Sequence, residues 1–135
     1  MPLASVSFQW KFSGMKLVIV DDSKIVRERL IDLLAEVDGV EIVGQAEDAP
    51  QAWQIIGARR PDAATIDIRM QEGNGLDLLA DVKEKFPSMI AIVLTNYASA
   101  ENRKKSLDRG ADYFFDKSHD VSKLVSVIKV LSLSR

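Results

Sequence analysis

Six polar residues in this chain stand directly after short apolar runs rich in β-branched or aromatic residues. Asp21 and Asp22 follow Leu17-Val18-Ile19-Val20, Asp67 follows Thr65-Ile66, Thr95 follows Ile92-Val93-Leu94, and Asp116 and Lys117 follow Tyr113-Phe114-Phe115. Each has an ordinary structural use on its own. Asp21-Asp22-Ser23 offers oxygens for the free N–H groups of a helix N-terminus, Asp67 is a solvated loop acid, Thr95 a turn hydroxyl, and Asp116 with Lys117 a surface ion pair. Brought to one patch they do other chemistry. Three clustered carboxylates repel one another unless a cation sits among them, and oxygen donors without a nearby His or Cys suit a hard ion. Mg²⁺ in particular is held by one or two carboxylates together with water and phosphate oxygens. A hydroxyl and an ammonium beside such a site complete what phosphoryl transfer to a carboxylate needs.

The elements that carry these residues alternate. Strand-like runs at 16–20, 40–46, 63–66, 89–94 and 112–115 are mostly apolar on consecutive residues, as strands buried on both faces are. Between them Val26, Leu30, Leu33, Leu34 and Val37 keep helical spacing, as do Ala49, Ala52, Trp53 and Ile56, then Leu76, Leu79, Val82 and Phe86, and finally Leu124, Val127, Ile128 and Leu131. The stretch 99–109 is poorer in apolar residues and predicts a helix with a narrow buried stripe. Trp53 reads as core. Five strands joined by right-handed crossovers make one doubly wound parallel sheet of order 2-1-3-4-5, an α/β architecture. Ligands in such sheets sit beyond the carboxyl ends of the strands. Asp21, Asp22 and Asp67 therefore converge on neighbouring central strands.

A chain of 135 residues has room for one ordinary domain, assigned to 15–135, with residues 1–14 set apart as an N-terminal arm. Phe8, Trp10 and Phe12 alternate there, so a short extra strand is the other reading of that arm. The net charge of -2 argues against direct nucleic-acid binding. Absence of cysteine removes disulfides and thiolate chemistry and fits a reducing compartment. No apolar run reaches membrane-spanning length, and the first residues lack the pattern of a secretory signal, so a cytoplasmic protein without a membrane segment is expected.

The string 17–23, the Asp67 segment closing on Gly73-Asn74-Gly75-Leu76, Val93-Leu94-Thr95, and Gly110-Ala111-Asp112-Tyr113-Phe114-Phe115-Asp116-Lys117 resemble the receiver domain of bacterial two-component response regulators, across about residues 15–133. The resemblance implies a flavodoxin-like receiver fold and a signalling phosphoacceptor rather than an enzyme, with self-phosphorylation and autodephosphorylation as its own chemistry. Asp67 would accept a phosphoryl group from a histidine kinase or phosphotransfer protein. Asp22 and Asp67 would bind Mg²⁺ directly, Asp21 largely through water, and the Arg69 backbone carbonyl would complete the protein's share. Lys117 would pair with Asp67 at rest and with a phosphoryl oxygen afterwards. Thr95 would bond another phosphoryl oxygen and move inward, with Phe114 as the switching aromatic. The fourth helix, fifth strand and fifth helix would form the output or homodimer surface, in a segment, 99–135, where eight Lys or Arg outnumber five acids. Arg103, Lys104 and Arg109 facing Asp112, Asp116 and Asp120 suggest complementarity across a two-fold axis.

Two departures bear on the site. Gln71 stands where the family usually has proline after the Met of the phosphorylation loop, and Ser118 follows Lys117 where a cis proline is common. A cis bond before serine costs about 2.5–4 kcal/mol, so trans is expected. Arg69 is long enough to cover the phosphoryl group. His119, the one histidine, reads as an exposed residue near a helix start. Two competing readings remain: a pseudo-receiver scaffold that is never phosphorylated, and a small doubly wound hydrolase or flavin protein, for which Asp21-Asp22 would repel a phosphate. With the last helix ending near Arg135, the expectation is a stand-alone module or the excised receiver of a longer regulator.

Overall fold

The computed structural model describes residues 14–133, so the expected arm at 1–14 lies almost wholly outside the described residues. Strands β1 (Met15–Val20), β2 (Val40–Ala46), β3 (Ala63–Ile66), β4 (Ile90–Thr95) and β5 (Tyr113–Asp116) alternate with helices α1 (Lys24–Ala35), α2 (Ala49–Arg59), α3 (Gly75–Lys85), α4 (Ala100–Asp108) and α5 (Val121–Leu133). The sheet is parallel throughout, in the order β2-β1-β3-β4-β5. This is the expected order.

Local chemistry starts the helices. Ser23, Asp48, Asn74 and Ser99 each accept a hydrogen bond from an amide of the first turn, and Pro50 occupies the start of α2, where its missing N–H is no loss. Leu30 and Leu34 of α1 and Leu124 and Ile128 of α5 pack on one face of the sheet, with Leu17, Ile19, Ile92 and Leu94. Ala52 and Ile56 of α2 and Leu78, Leu79 and Val82 of α3 pack on the other, with Val18, Val20, Ile66 and Val93. Each fully buried Leu or Ile contributes about 1.5–3 kcal/mol relative to exposure. Helix α4 buries only Ser106, so the narrow stripe expected there is narrower still.

Several expectations shift. Met89 and Asp112 lie just outside their strands: the Met89 amide donates to the Phe86 carbonyl in a turn, and Asp112 turns its carboxylate back to accept from the Ala91 amide and the Lys83 ammonium. Thr95 and Asp116 end their strands as partners in register rather than following them. Trp53 is 38% exposed. It lies on the surface under the Lys85 ammonium and beside Phe86, where an indole gains from cation–π contact without entering the core.

Thr65 is buried in the middle of β3 between Ile19 and Ile92, and its hydroxyl has no hydrogen-bond partner among the described residues. An unsatisfied buried hydroxyl is costly, so Thr65→Val is expected to stabilise the domain by about 1 kcal/mol in chemical denaturation, with the site chemistry unaltered.

Candidate functional site

The parallel pairing of β1 with β3 sets two carboxylates side by side. Asp21 continues β1 by donating its amide to the Ala46 carbonyl (3.0 Å), and Asp67 continues β3 by donating to the Val20 carbonyl (3.0 Å). Arg27 braces the first from α1: Nη1 donates to the Asp21 carbonyl at 2.7 Å while Nε donates to Gln45 Oε1 at 2.8 Å. Behind the second stands Gly75, at the start of α3. A Cβ there would collide with the Asp67 carbonyl oxygen and the Ile68 backbone, so only glycine lets α3 approach this closely.

The side chains then close on one another. Asp21 is 2% exposed and Asp67 4%, whereas Asp22 is open to solvent. Ligand-grade oxygens of all three lie within 4.8 Å of one another. Lys117 reaches in from the end of β5 and places Nζ 2.7 Å from Asp67 Oδ2 and 2.5 Å from Asp21 Oδ2. The remaining oxygens are also engaged, Asp67 Oδ1 by the Arg69 amide (3.1 Å) and Asp21 Oδ1 by the Ser23 amide (2.9 Å). The Lys117 amide donates to the Thr95 carbonyl at 2.9 Å, and Thr95 Oγ1 accepts from the Tyr97 amide at 3.1 Å. Thr95 is thus tied to the lysine through the backbone.

Burial and pairing act against each other here. Burial pushes the Asp21 carboxyl above its ordinary value near 3.8, and the hydrogen bond from Lys117 offsets only part of that. For Lys117 burial works to lower the value, and the bonds to Asp21 and Asp67 outweigh it, leaving the ammonium more basic than an ordinary lysine. The Lys117 ammonium is therefore held in its charged form.

An open cleft of about 400 Å³ leads to the cluster, lined by Asp22, Ser23, Asp67, Arg69, Met70, Asn96, Tyr97 and Lys117 among others. The Arg69 guanidinium does not hang free over it. Its Cζ lies 4.2 Å from the centroid of the Tyr97 ring, so cation and ring together form one wall. A cleft of similar size at the opposite end of the sheet, around Arg60 and Phe86, contains a single acid, Asp62, whose carboxylate accepts from the Lys16 amide. Among the described residues the clustered acids and the lysine gather at the carboxyl edge.

Of the residues singled out in the sequence, Asp21, Asp22, Asp67, Lys117 and the Arg69 backbone meet at this edge, with Thr95 one hydrogen bond away. Phe114 does not reach it. It is buried in the core in register with Val93, with the Arg103 guanidinium 5.8 Å from its ring centroid. No peptide bond among the described residues is cis, so Lys117–Ser118 is trans. The charge pattern proposed for a two-fold contact is largely spent within the chain: Asp112 pairs with Lys83, Lys104 with Asp108, and Asp116 and Asp120 bond to backbone amides. Arg27 and Tyr97 escaped the sequence reading. Tyr97 carried one usable signal, an aromatic two residues past the hydroxyl of a strand end.

The donor set fits a hard divalent cation, being all oxygen, clustered and open to solvent at Asp22. Comparisons with known proteins agree with this geometry. The family model of the response regulator receiver domain matches residues 17–129, and the chain belongs to that family, the receivers of two-component signalling. It is 31% identical over 121 residues to the DNA-binding transcriptional activator DevR/DosR of Mycobacterium tuberculosis, covering 90% of this chain and 56% of that one. With protein-glutamate methylesterase/protein-glutamine glutaminase 1 of Carboxydothermus hydrogenoformans it shares 33% identity over 120 residues, 87% of this chain and 35% of the enzyme. A CheY-like receiver domain protein from Methanospirillum hungatei superposes with a TM-score of 0.77 at 30% identity, covering 87% of this chain and 92% of that structure. The chain spans about half the length of DevR/DosR and about a third of the methylesterase. Receiver domains are phosphoacceptors that bind Mg²⁺ at an acidic pocket, and no helix among the described residues is long and apolar enough to cross a membrane.

The raised Asp21 carboxyl gives a signed expectation. A group whose pKa is higher folded than unfolded contributes stability that is complete below the unfolded value and lost as pH rises through the folded one. In metal-free buffer the wild-type chain is therefore expected to lose stability relative to Asp21→Asn as pH climbs from below about 3.8 through the raised value, as read by denaturant titrations at a series of pH values. Parallel curves for the two proteins would contradict the buried, disfavoured carboxylate.

Proposed function

We propose that Asp67 of this receiver is the phosphoacceptor, taking a phosphoryl group from the phosphohistidine of a histidine kinase or phosphotransfer protein. The observation that carries the reading is the Lys117 ammonium held between Asp67 and Asp21 at the mouth of an all-oxygen site. A carboxylate oxygen of Asp67 forms the new O–P bond as the P–N bond to the donor imidazole breaks, and the imidazole leaves with the electron pair of that bond. Lys117 transfers its contact from the Asp67 carboxylate to a phosphoryl oxygen, and Thr95 supplies a hydroxyl to another. Arg69 and Tyr97 form the wall that limits water access to the product. Asp22, Asp67 and the Arg69 carbonyl would hold Mg²⁺, with Asp21 largely through water. An ion held there would supply charge neutralisation for the equatorial oxygens in a loose transition state.

For output, the reading assigns α4, β5 and α5 as the surface that responds. Phe114 sits under that surface, has no hydroxyl to satisfy, and is free to change packing when Thr95 moves. Homodimerisation or contact with a partner through this face is the expected outcome, but the acids once matched to it are already engaged within the chain, so the association rests on shape and on Arg103 and Arg109. The relatives differ in output, one being a DNA-binding transcriptional activator and another a methylesterase. The assigned role accordingly ends at the receiver's own surface, in the unit 15–135.

Incubated with Mg²⁺ and acetyl phosphate, the wild-type protein should gain the mass of one phosphoryl group and Asp67→Asn should gain none while keeping its circular dichroism spectrum. Full labelling of the asparagine variant would remove Asp67 from the role, and an unlabelled wild type would favour the scaffold reading. A beryllium fluoride adduct should also move amide NMR shifts across 95–109 and 112–123. Shifts restricted to the loops bearing Asp22 and Asp67 would show the output surface to be elsewhere.

A further inference from the structure

The loop that carries Lys117 has an unusual means of support. Ser118 comes next through a trans peptide, so no cyclic residue limits the backbone beside the lysine. The turn is instead closed by two aspartates. The Asp116 amide donates to Asp120 Oδ2 at 3.0 Å, and the Asp120 amide donates to the Asp116 carbonyl at 2.8 Å. Asp116 Oδ1 accepts from the Ser118 amide at 2.8 Å, and the Lys117 amide is pinned to Thr95. Every backbone N–H from 116 to 118 thus has a fixed acceptor.

The position of Asp120 sharpens the point. Its carbonyl accepts from the Leu124 amide at 2.9 Å, which makes it the residue that opens α5. An acidic residue in that place ordinarily turns its side chain forward to the free amides of the first helical turn. Here one oxygen reaches backward to Asp116 and the other lies 3.4 Å from Lys123, on the exposed side. The carboxyl is held below the ordinary range, first by the Asp116 amide, as suits an ionised acceptor in a charge-assisted bond. The side chain that could cap the helix serves the lysine loop instead.

We propose that Asp120 is a positioning residue for Lys117: by closing the 116–120 turn its carboxylate keeps the ammonium against Asp21 and Asp67. The inference rests on the phosphoacceptor role assigned to the Asp67–Lys117 site. It has a consequence that a purely structural role lacks. In the metal-free site the ammonium occupies carboxylate oxygens that a divalent ion needs, yet the same ammonium is required to receive the phosphoryl group. Loosening the loop must therefore move two quantities in opposite senses, tightening Mg²⁺ binding while slowing phosphate capture.

The test uses the full chain, with Mg²⁺ affinity from NMR-monitored titration and the labelling rate with acetyl phosphate from mass spectrometry. Lys117→Ala sets the scale for both. Asp120→Ala is expected to lower the Mg²⁺ dissociation constant and to slow labelling about tenfold, the usual size of an effect exerted through a supporting residue. Asp120→Asn keeps an oxygen of the same shape for the Asp116 amide, so it should fall between wild type and Asp120→Ala on both measures, and it carries the test alone if the alanine variant does not fold. Adding Asp120→Ala to Lys117→Ala should change Mg²⁺ affinity no further. The proposal is overturned if the Asp120 variants match wild type while Lys117→Ala moves both quantities, or if they weaken Mg²⁺ binding and labelling together, as general loss of structure would. Lys117→Ala moving neither quantity would remove Lys117 from the chemistry assigned to the site and overturn the proposal with it, whereas the phosphoacceptor reading stands or falls separately on the labelling of Asp67→Asn.

Discussion

At the carboxyl edge of the sheet one ammonium is shared by two carboxylates that are almost entirely removed from water. Coulomb attraction at such separations is large in a low dielectric, but so is the cost of taking three charged groups out of solvent, and the two act against each other, burial prevailing at Asp21 and pairing at Lys117. What remains depends on geometry. Removing the lysine would leave two buried anions facing each other, and removing either acid would leave the lysine with half its compensation. The arrangement is thus suited to change when a further charge arrives, because each member is held by the others rather than by solvent.

The rest of the fold maintains that balance. Parallel pairing of β1 with β3 brings Asp21 and Asp67 together, and the pairing of β4 with β5 brings the Thr95 carbonyl to the Lys117 amide. These are backbone contacts between strands, of which β1, β3 and β4 are buried almost throughout and β5 is half-buried. Helices contribute at particular points: Arg27 of α1 braces the Asp21 carbonyl, and Gly75 allows α3 to lie against the Asp67 backbone.

Much of this was legible in the sequence because strand ends in a doubly wound sheet are both easy to recognise and chemically privileged. The runs before Asp21, Asp67 and Thr95 are short, apolar and β-branched, so the strand order alone placed their polar successors at one edge. The parts that were not legible depend on where a side chain turns once the backbone is set. Asp120 had two directions available, forward to the helix or back to the loop, and spacing does not choose between them. Arg27 lies on a helix whose other polar residues face solvent, and only its carbonyl partner distinguishes it. Trp53 kept helical spacing with Ala52 and Ile56, yet a stripe wider than the available core leaves its edge residues outside, where cations cover them.

Helix α4 buries a single side chain, Ser106, whose hydroxyl finds no partner among the described residues. An element held by so little apolar contact and carrying an unmet polar cost sits near the low end of the range of local unfolding free energies within a domain. Its position can therefore be biased by a small difference in ligand affinity between two arrangements, since no more than that difference is ever transmitted. For the output role proposed for α4, poor packing would work as gain: a well-buried α4 would be a more stable helix and a less responsive one.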